Sequence, residues 1–139
     1  MEVQTEYIPM STKGFTDILD LTTQARDVVR KSGLKNGTLT LFVPGSTAGL
    51  TTIEYEPGLC KDIPEFFERL IPYDRDYHHH KTWGDHNGSS HLRAPLIGAS
   101  LVVPFVEGEL TLGTWQQIVL IDFDDSPRSR KVVCQLMGA

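Results

Sequence analysis

The sequence predicts an α+β fold, with two main helices, one short helix and an antiparallel sheet. Three observations lead there. Apolar residues at helical spacing are confined to the first two thirds of the chain. From Ser100 onward, short alternating, β-branched segments follow one another, separated by turn residues. Helices and strands are thus segregated along the chain, which favours an antiparallel sheet over the alternating units of a parallel α/β fold.

Taken in order, residues 2–8 alternate loosely and read as a strand. Phe15, Ile18, Leu19, Thr22, Ala25 and Val29 then recur at helical spacing. Asp17 and Asp20 lie at the front of this segment, Arg30 and Lys31 at its end, and Gly33 just beyond. The charges complement a helix dipole and the glycine suits a C-terminal cap, so a helix is expected over residues 16–32. GTLTLFV, residues 37–43, reads as a strand; PGST breaks it, and LTTIEY, residues 50–55, resumes as a second. Asp62 followed by Glu65 resembles a capping box, which predicts a second helix starting there, with Phe66, Phe67, Leu70 and Ile71 as its apolar face and Pro72 as its end. Residues 73–87 are polar and are expected to be irregular. Ser89 or Ser90 would then cap a short helix running to Ile97, ended by Gly98. SLVVPFV, a turn at Glu107-Gly108, ELTLGTW, QQIVLIDFD and KVVCQLM supply the remaining strands.

A chain of 139 residues reads as a single domain, 1–139, large enough to fold without staples. Its formal net charge of −5 argues against a general nucleic-acid binder, while leaving room for a small basic pocket. The two cysteines, Cys60 and Cys134, lack CxxC spacing and read as thiols in a reducing compartment. No secretory h-region opens the sequence and no apolar run approaches the ~20 residues of a membrane span, so a cytoplasmic location and no membrane partner are expected.

All five histidines, His78, His79, His80, His86 and His91, fall within residues 78–91. Three consecutive histidines in extended backbone cannot all face one ion, so only one or two of them could join His86 or His91 at a metal. An acid–base role at neutral pH is the milder reading. Asn87, Ser89 and Ser90 stand at the predicted start of a helix, whose free N–H groups suit an anion, with Arg93 one turn further on. A second candidate lies between Pro44 and Gly58. There Ser46 and Thr47 offer hydroxyls on a turn, and Glu54 and Glu56 would share a strand face as base, cation stabiliser or magnesium ligand. A third is LGTWQQ, residues 112–117, where Thr114, Trp115 and Gln116 could line a pocket for a flat ring. Arg128, Arg130 and Lys131 form either a solvated turn or an anion-gathering group.

STAGLTTIE, the YHH followed by NGSSH, LIGASLVVPFVEGELTLGTWQQIVLIDFD and the terminal RSRKVVCQLMG together resemble the YjbQ-like, or secondary thiamine-phosphate synthase, family over nearly the whole chain. The resemblance implies an antiparallel β-sandwich assembled as a homotrimer, with ligand sites near subunit boundaries. It also implies joining of a pyrimidine diphosphate to a thiazole phosphate, an activity regarded as secondary in the family. By that resemblance, Thr47 and Glu54 match the hydroxyl-and-acid stretch, and His79, Asn87 and His91 match the histidine-bearing stretch. Thr114, Trp115 and Gln116 match the signature. Many members carry a histidine where this chain has Gly45. The expected catalytic residues are His91, His79 and Glu54. The expected ligand-binding residues are Ser46, Thr47, Asn87, Ser90, Thr114, Trp115, Gln116 and Arg130. Mg²⁺ or Zn²⁺ is the expected cofactor, with His79, His91 and Asp85 as candidate ligands, and His86 as an alternative third. The rival readings are metal-assisted hydrolysis at the His79/His91 site, and a non-catalytic trimer binding a small phosphorylated metabolite.

Overall fold

The structure is a computed structural model describing residues 1–139. Strands β1 (Glu2–Thr12), β3 (Gly37–Phe42), β5 (Ser100–Val106), β6 (Glu109–Leu110) and β8 (Arg128–Gly138) form one sheet, in the order β1-β8-β3-β5-β6. Strands β2 (Asp17–Asp20), β4 (Ala48–Ile53) and β7 (Gln117–Asp122) form a second, in the order β2-β7-β4. Every pairing is antiparallel. Helix α1 spans Thr22–Ser32, α2 Pro57–Leu70, α3 His78–Trp83 and α4 Gly88–Ile97.

The alternation of side chains explains the layering. Leu39 and Leu41 of β3 and Val132, Cys134 and Leu136 of β8 face inward from the large sheet. They meet Leu50 of β4 and Ile118 and Leu120 of β7, while Ala25 and Val29 of α1 join the same core. The other face of β7 presents Val119 and Ile121, which with Phe123 pack on Ile18, Phe67 of α2 and Ala94 of α4. The small sheet is therefore covered on both sides, by the large sheet and by α2 and α4. That is why QIVLID reads as a nearly unbroken apolar run.

At one end of the sandwich this alternation places a charge inside. Asp122 continues the inward row of Ile118 and Leu120, and Arg130 continues the inward row of Val132 and Cys134. They meet as a two-pronged pair. Arg130 Nε donates to Asp122 Oδ2 and Nη2 to Oδ1, each at 2.9 Å, with the side chains 9% and 0% exposed. Thr12 Oγ1 donates to Oδ2 at 2.6 Å and the Asp124 N–H to Oδ1 at 3.0 Å, so the buried carboxylate accepts four hydrogen bonds.

The structure corrects four expectations. The helix expected over residues 16–32 starts only at Thr22, because Asp17–Asp20 pairs with β7. Asp20 accepts from Thr22 N and Oγ1, at 2.9 and 2.6 Å, and fixes the start. The second helix begins at Pro57 rather than at Asp62. Glu56 accepts from the N–H groups of Gly58 and Leu59, and proline occupies the first turn, where its missing N–H costs nothing. The stretch expected to be irregular contains α3, so there are four helices. ELTLGTW is a strand only at Glu109–Leu110, and the rest is a loop.

Removing one member of the buried pair isolates the other charge. Arg130→Met should lower the unfolding free energy by about 3–5 kcal/mol in urea titrations, and the double variant Arg130→Met/Asp122→Leu should recover most of that loss.

Candidate functional site

From the Asp122–Arg130 pair the polar network runs outward. Arg130 Nη2 also donates to Thr47 Oγ1 at 2.8 Å, and Thr47 donates in turn to Asp124 Oδ2 at 3.2 Å. Arg128 Nε reaches the same Asp124 oxygen at 2.7 Å. Burial pushes the Asp124 carboxyl up, but the Arg128 guanidinium, the Asp125 N–H and the Thr47 hydroxyl outweigh it and hold the group below the usual carboxylate range. Sequence reasoning missed Asp122 and Asp124. The available signal was a carboxylate at an inward register position of an otherwise apolar strand.

The histidines sit on α3 and α4. A helix turns about 100° per residue, so His78, His79 and His80 splay around α3 instead of alternating. His78 points to solvent. His79 stacks on His91 of α4, with ring centroids 4.2 Å apart and ring planes 29° from parallel. His80 accepts a hydrogen bond from the Gly88 N–H at 2.9 Å and stacks on His86 at 4.6 Å. A β-carbon at Gly88 would lie 2.7 Å from Tyr77 Cβ, so glycine there lets α4 start against α3.

Two buried polar atoms beside this pair have no protein partner, His79 Nδ1 and Asn87 Oδ1. His79 Nδ1 is 3.2 Å from Asp85 Oδ1 but out of hydrogen-bonding alignment with it. His91 faces a cleft of about 190 Å³ that Gly45, Ser46 and Ala48 help to line. Burial, and then repulsion from His79, lower the His91 pKa, against the opposing pull of Asp124 and Asp85. The pull of Asp124 makes the aspartate–arginine network and the imidazole pair parts of one electrostatic site.

Not every predicted residue joins them. Ser90 is fully buried and its hydroxyl donates to the Phe123 carbonyl, so it anchors α4 to the strand end and presents no hydroxyl to a ligand. Arg93 is also inside, held by Glu68, the Ile71 carbonyl and Thr16. Thr47 and Glu54 flank β4 at opposite ends, roughly 23 Å apart for seven residues of extended chain. Glu54 is exposed, and Glu56 caps α2 rather than sharing a strand face with it. Gln116 donates to Thr52 Oγ1 and accepts from the Gly113 N–H, both at 3.0 Å, which pins the signature loop at the Glu54 end. Thr114 is exposed there, and Trp115, 75% exposed, lines no core. One chain therefore carries two clusters, one at each end of β4.

The candidate metal ligands His79, His91 and Asp85 are neighbours, yet no three His, Cys, Asp or Glu side chains are arranged to hold an ion. Imidazole lone pairs lie in the ring plane, and two stacked rings turn their faces, not their lone pairs, toward each other. The position that could add a third imidazole is Gly45. These residues do not fit a tight three-ligand zinc site, and no chemistry is routed through one.

The lowered His91 pKa sets a direction with pH. In the window below the unfolded value of 6.5, the unfolded chain binds the proton more readily than the folded one. The stabilisation is complete above that value and is lost as pH falls through the window. Melting temperature should therefore drop from about pH 7 to about pH 5, with a shallower slope in His91→Asn, as read by thermal scans at each pH.

Comparison with known proteins agrees with this architecture. The family model described as "UPF0047 protein YjbQ-like" matches residues 6–139. A UPF0047 protein of Methanothermobacter thermautotrophicus is 37% identical over 138 residues, covering 99% of this chain and 94% of its own. The UPF0047 protein YugU of Bacillus subtilis is 30% identical over 123 residues, covering 88% of this chain and 90% of its own. Among solved structures, a YbjQ-like protein of unknown function from Sulfolobus solfataricus superposes with a TM-score of 0.93 at 35% identity, covering 99% of both chains. A hypothetical protein from Aeropyrum pernix gives 0.91 at 34% identity, covering 98% of this chain and 99% of its own. No helix of the chain is long and apolar enough to cross a membrane. With a family match over almost its whole length and the same fold in its relatives, the chain belongs to the UPF0047 family of YjbQ-like proteins.

Proposed function

We propose that the protein joins a pyrimidine diphosphate to a thiazole phosphate, or performs a closely related transfer on small phosphorylated substrates, in the cytoplasm. The observation that carries this reading is the stacked His79–His91 pair, with His79 Nδ1 unpartnered, beside a fixed arginine–aspartate network. In this reaction the bond between the pyrimidine methylene and the diphosphate oxygen breaks, and its electrons leave with the diphosphate. The thiazole nitrogen lone pair then forms the new C–N bond to the resulting cation. The protein must stabilise departing negative charge and exclude water. Imidazole N–H groups of His79 and His91 and the Ser46 hydroxyl donate to leaving oxygens. Thr47 holds the Arg130 guanidinium, which attracts the phosphates, and Asn87, with its Oδ1 unpartnered, stands at the start of α4. Mg²⁺ enters as the companion of the diphosphate, on the substrate.

The reading includes a homotrimer. The middle of the outer face of the large sheet carries Val3, Thr5 and Tyr7 of β1, Val133, Gln135 and Met137 of β8, Thr38, Thr40 and Phe42 of β3, and Val102 and Pro104 of β5. None is charged, and Val3, Tyr7, Phe42, Val102 and Met137 are exposed. An uncharged face of that extent suits a second copy of the chain. Contact between copies would also let the Glu54–Trp115 cluster of one chain complete the histidine cleft of another, where Glu54 faces the cation and Thr114, Trp115 and Gln116 receive the rings.

A second reading, a non-catalytic trimer that binds a phosphorylated metabolite, is favoured by Gly45, which leaves the imidazole pair without a third member. Metal-assisted hydrolysis has less support, since it asks for the convergent third ligand that the geometry lacks.

Purified protein given both phosphorylated precursors and Mg²⁺ should form thiamine phosphate, and His91→Ala should lose at least ~100-fold of the rate while staying folded, the scale of a removed general acid–base group. Thermal stabilisation by thiamine phosphate without turnover would select the second reading. Native mass spectrometry should give three times the 15.5 kDa chain mass, and Val102→Glu should shift the population to monomer.

A further inference from the structure

We infer that the groove between the turn at Gly14–Thr16 and α2 binds a small organic cation, an ammonium carrying methyl groups, against the rings of Phe15 and Tyr73. This site is independent of the reaction proposed above. Gly14, Phe15 and Thr16 all have left-handed backbone, with φ of 81°, 54° and 63°. That region is uncommon for phenylalanine and a genuine outlier for a β-branched threonine. The surroundings hold it there. The Phe15 N–H donates to the Asp124 carbonyl at 2.7 Å, and Arg93 Nη1 donates to Thr16 Oγ1 at 3.3 Å. The turn carries the Phe15 ring outward, 59% exposed, to meet Tyr73 edge to face with centroids 5.7 Å apart. Backbone strain that leaves a phenyl ring largely in solvent gains little packing in return, and such strain concentrates at ligand sites.

The two rings stand at a corner of a groove of about 460 Å³, the size of a small-molecule site. Direct contacts tie its walls together. Pro64 and Glu68 lie one helical turn apart on α2, and Glu65 is exposed beside them. Glu68 accepts from the Tyr73 N–H at 3.2 Å and pairs with Arg93 at 3.0 Å. Phe123, buried edge to face on Phe67, closes the floor. Arg93 is the one cation in the lining, and its charge is spent. Nε and Nη2 donate to the Ile71 carbonyl, Nη2 also to Glu68, and Nη1 to Thr16, with the side chain 6% exposed. Glu65 and Asp74 pair with no lysine or arginine, although Lys61 and Arg69 stand one turn to either side of Glu65. The nearest partner of Asp74 is His86, at 3.9 Å. Two uncompensated carboxylates therefore attract positive charge to the rim, while the ring faces attract a weakly hydrated, methylated cation through their quadrupoles. A bare metal ion finds no converging ligand set there.

Titration of the purified protein with choline, read by NMR from the Tyr73 ring signals, tests the site against the neutral isostere in which carbon replaces the quaternary nitrogen. Choline should saturate in the millimolar range, and the neutral isostere should bind about tenfold more weakly, having lost the cation–π contact. Phe15→Asn removes the ring and places a residue that tolerates left-handed backbone. It should weaken choline about tenfold while the melting temperature holds or rises. Glu65→Gln should weaken choline roughly two- to threefold and flatten the dependence of affinity on salt. Glu65 is exposed, so its variant decides the matter if Phe15→Asn fails to fold. Equal affinity for the neutral isostere, no saturation by wild type, or unchanged affinity in Glu65→Gln would overturn the site. So would a Phe15→Asn protein that melts lower yet keeps choline, since the ring would then serve packing alone.

Discussion

The Asp122–Arg130 pair is the constraint on which the arrangement depends. It joins the inward faces of two sheets where the apolar core ends, with the carboxylate fully buried and the guanidinium nearly so. Withdrawing two charges from water is costly, and the cost is offset only when geometry is good and each remaining acceptor site finds a donor. Here each does, through Thr12 and the Asp124 N–H. The pair therefore fixes several elements at once. Arg130 holds Thr47, Thr47 and Arg128 hold Asp124, and the Phe123 N–H donates to the Thr47 carbonyl at 2.9 Å. The Ser90 hydroxyl, bonded to the Phe123 carbonyl, extends the chain of contacts into α4 and so to His91.

The position of the imidazole pair follows from that anchoring. Stacked rings held between a helix turn and a sheet end lose water, and two neighbouring imidazoles resist sharing positive charge, so His91 is biased to the neutral form. Asp124 opposes the bias through its negative charge, which the arginine network maintains. The same rigid frame that stabilises the sandwich thus adds an opposing electrostatic pull on His91. The opposite end of β4 is built differently, with its signature loop held by Gln116 and Gln117 side chains and its tryptophan in solvent.

The candidate site was only partly legible. His79 and His91 were singled out together by the family resemblance, and they do stack, but the stretch holding His79 was expected to be irregular, whereas it forms α3, with His91 on α4. Ser90 was misread because a hydroxyl at a helix start looks the same whether it faces solvent or the neighbouring strand. The basic group near the C-terminus was read as a turn or an anion-gathering cluster, whereas Arg130 is an interior side chain. Asp62 mimicked a cap because Glu65 follows three residues on, whereas both lie inside α2.

By itself, the sequence determined the α+β class and antiparallel pairing, through strand alternation and the segregation of helices from strands, which are local properties of side chains. It also singled out His79 and His91, through the family resemblance, as candidates to examine together. Only the tertiary structure decided that residues 17–20 form a strand, since their helical spacing loses to pairing with β7. It alone decided that Asp122 meets Arg130, and that Glu54 and the tryptophan loop lie at the far end of β4 from the histidines. Those outcomes depend on register between segments distant in the chain, and no window of neighbouring residues encodes them.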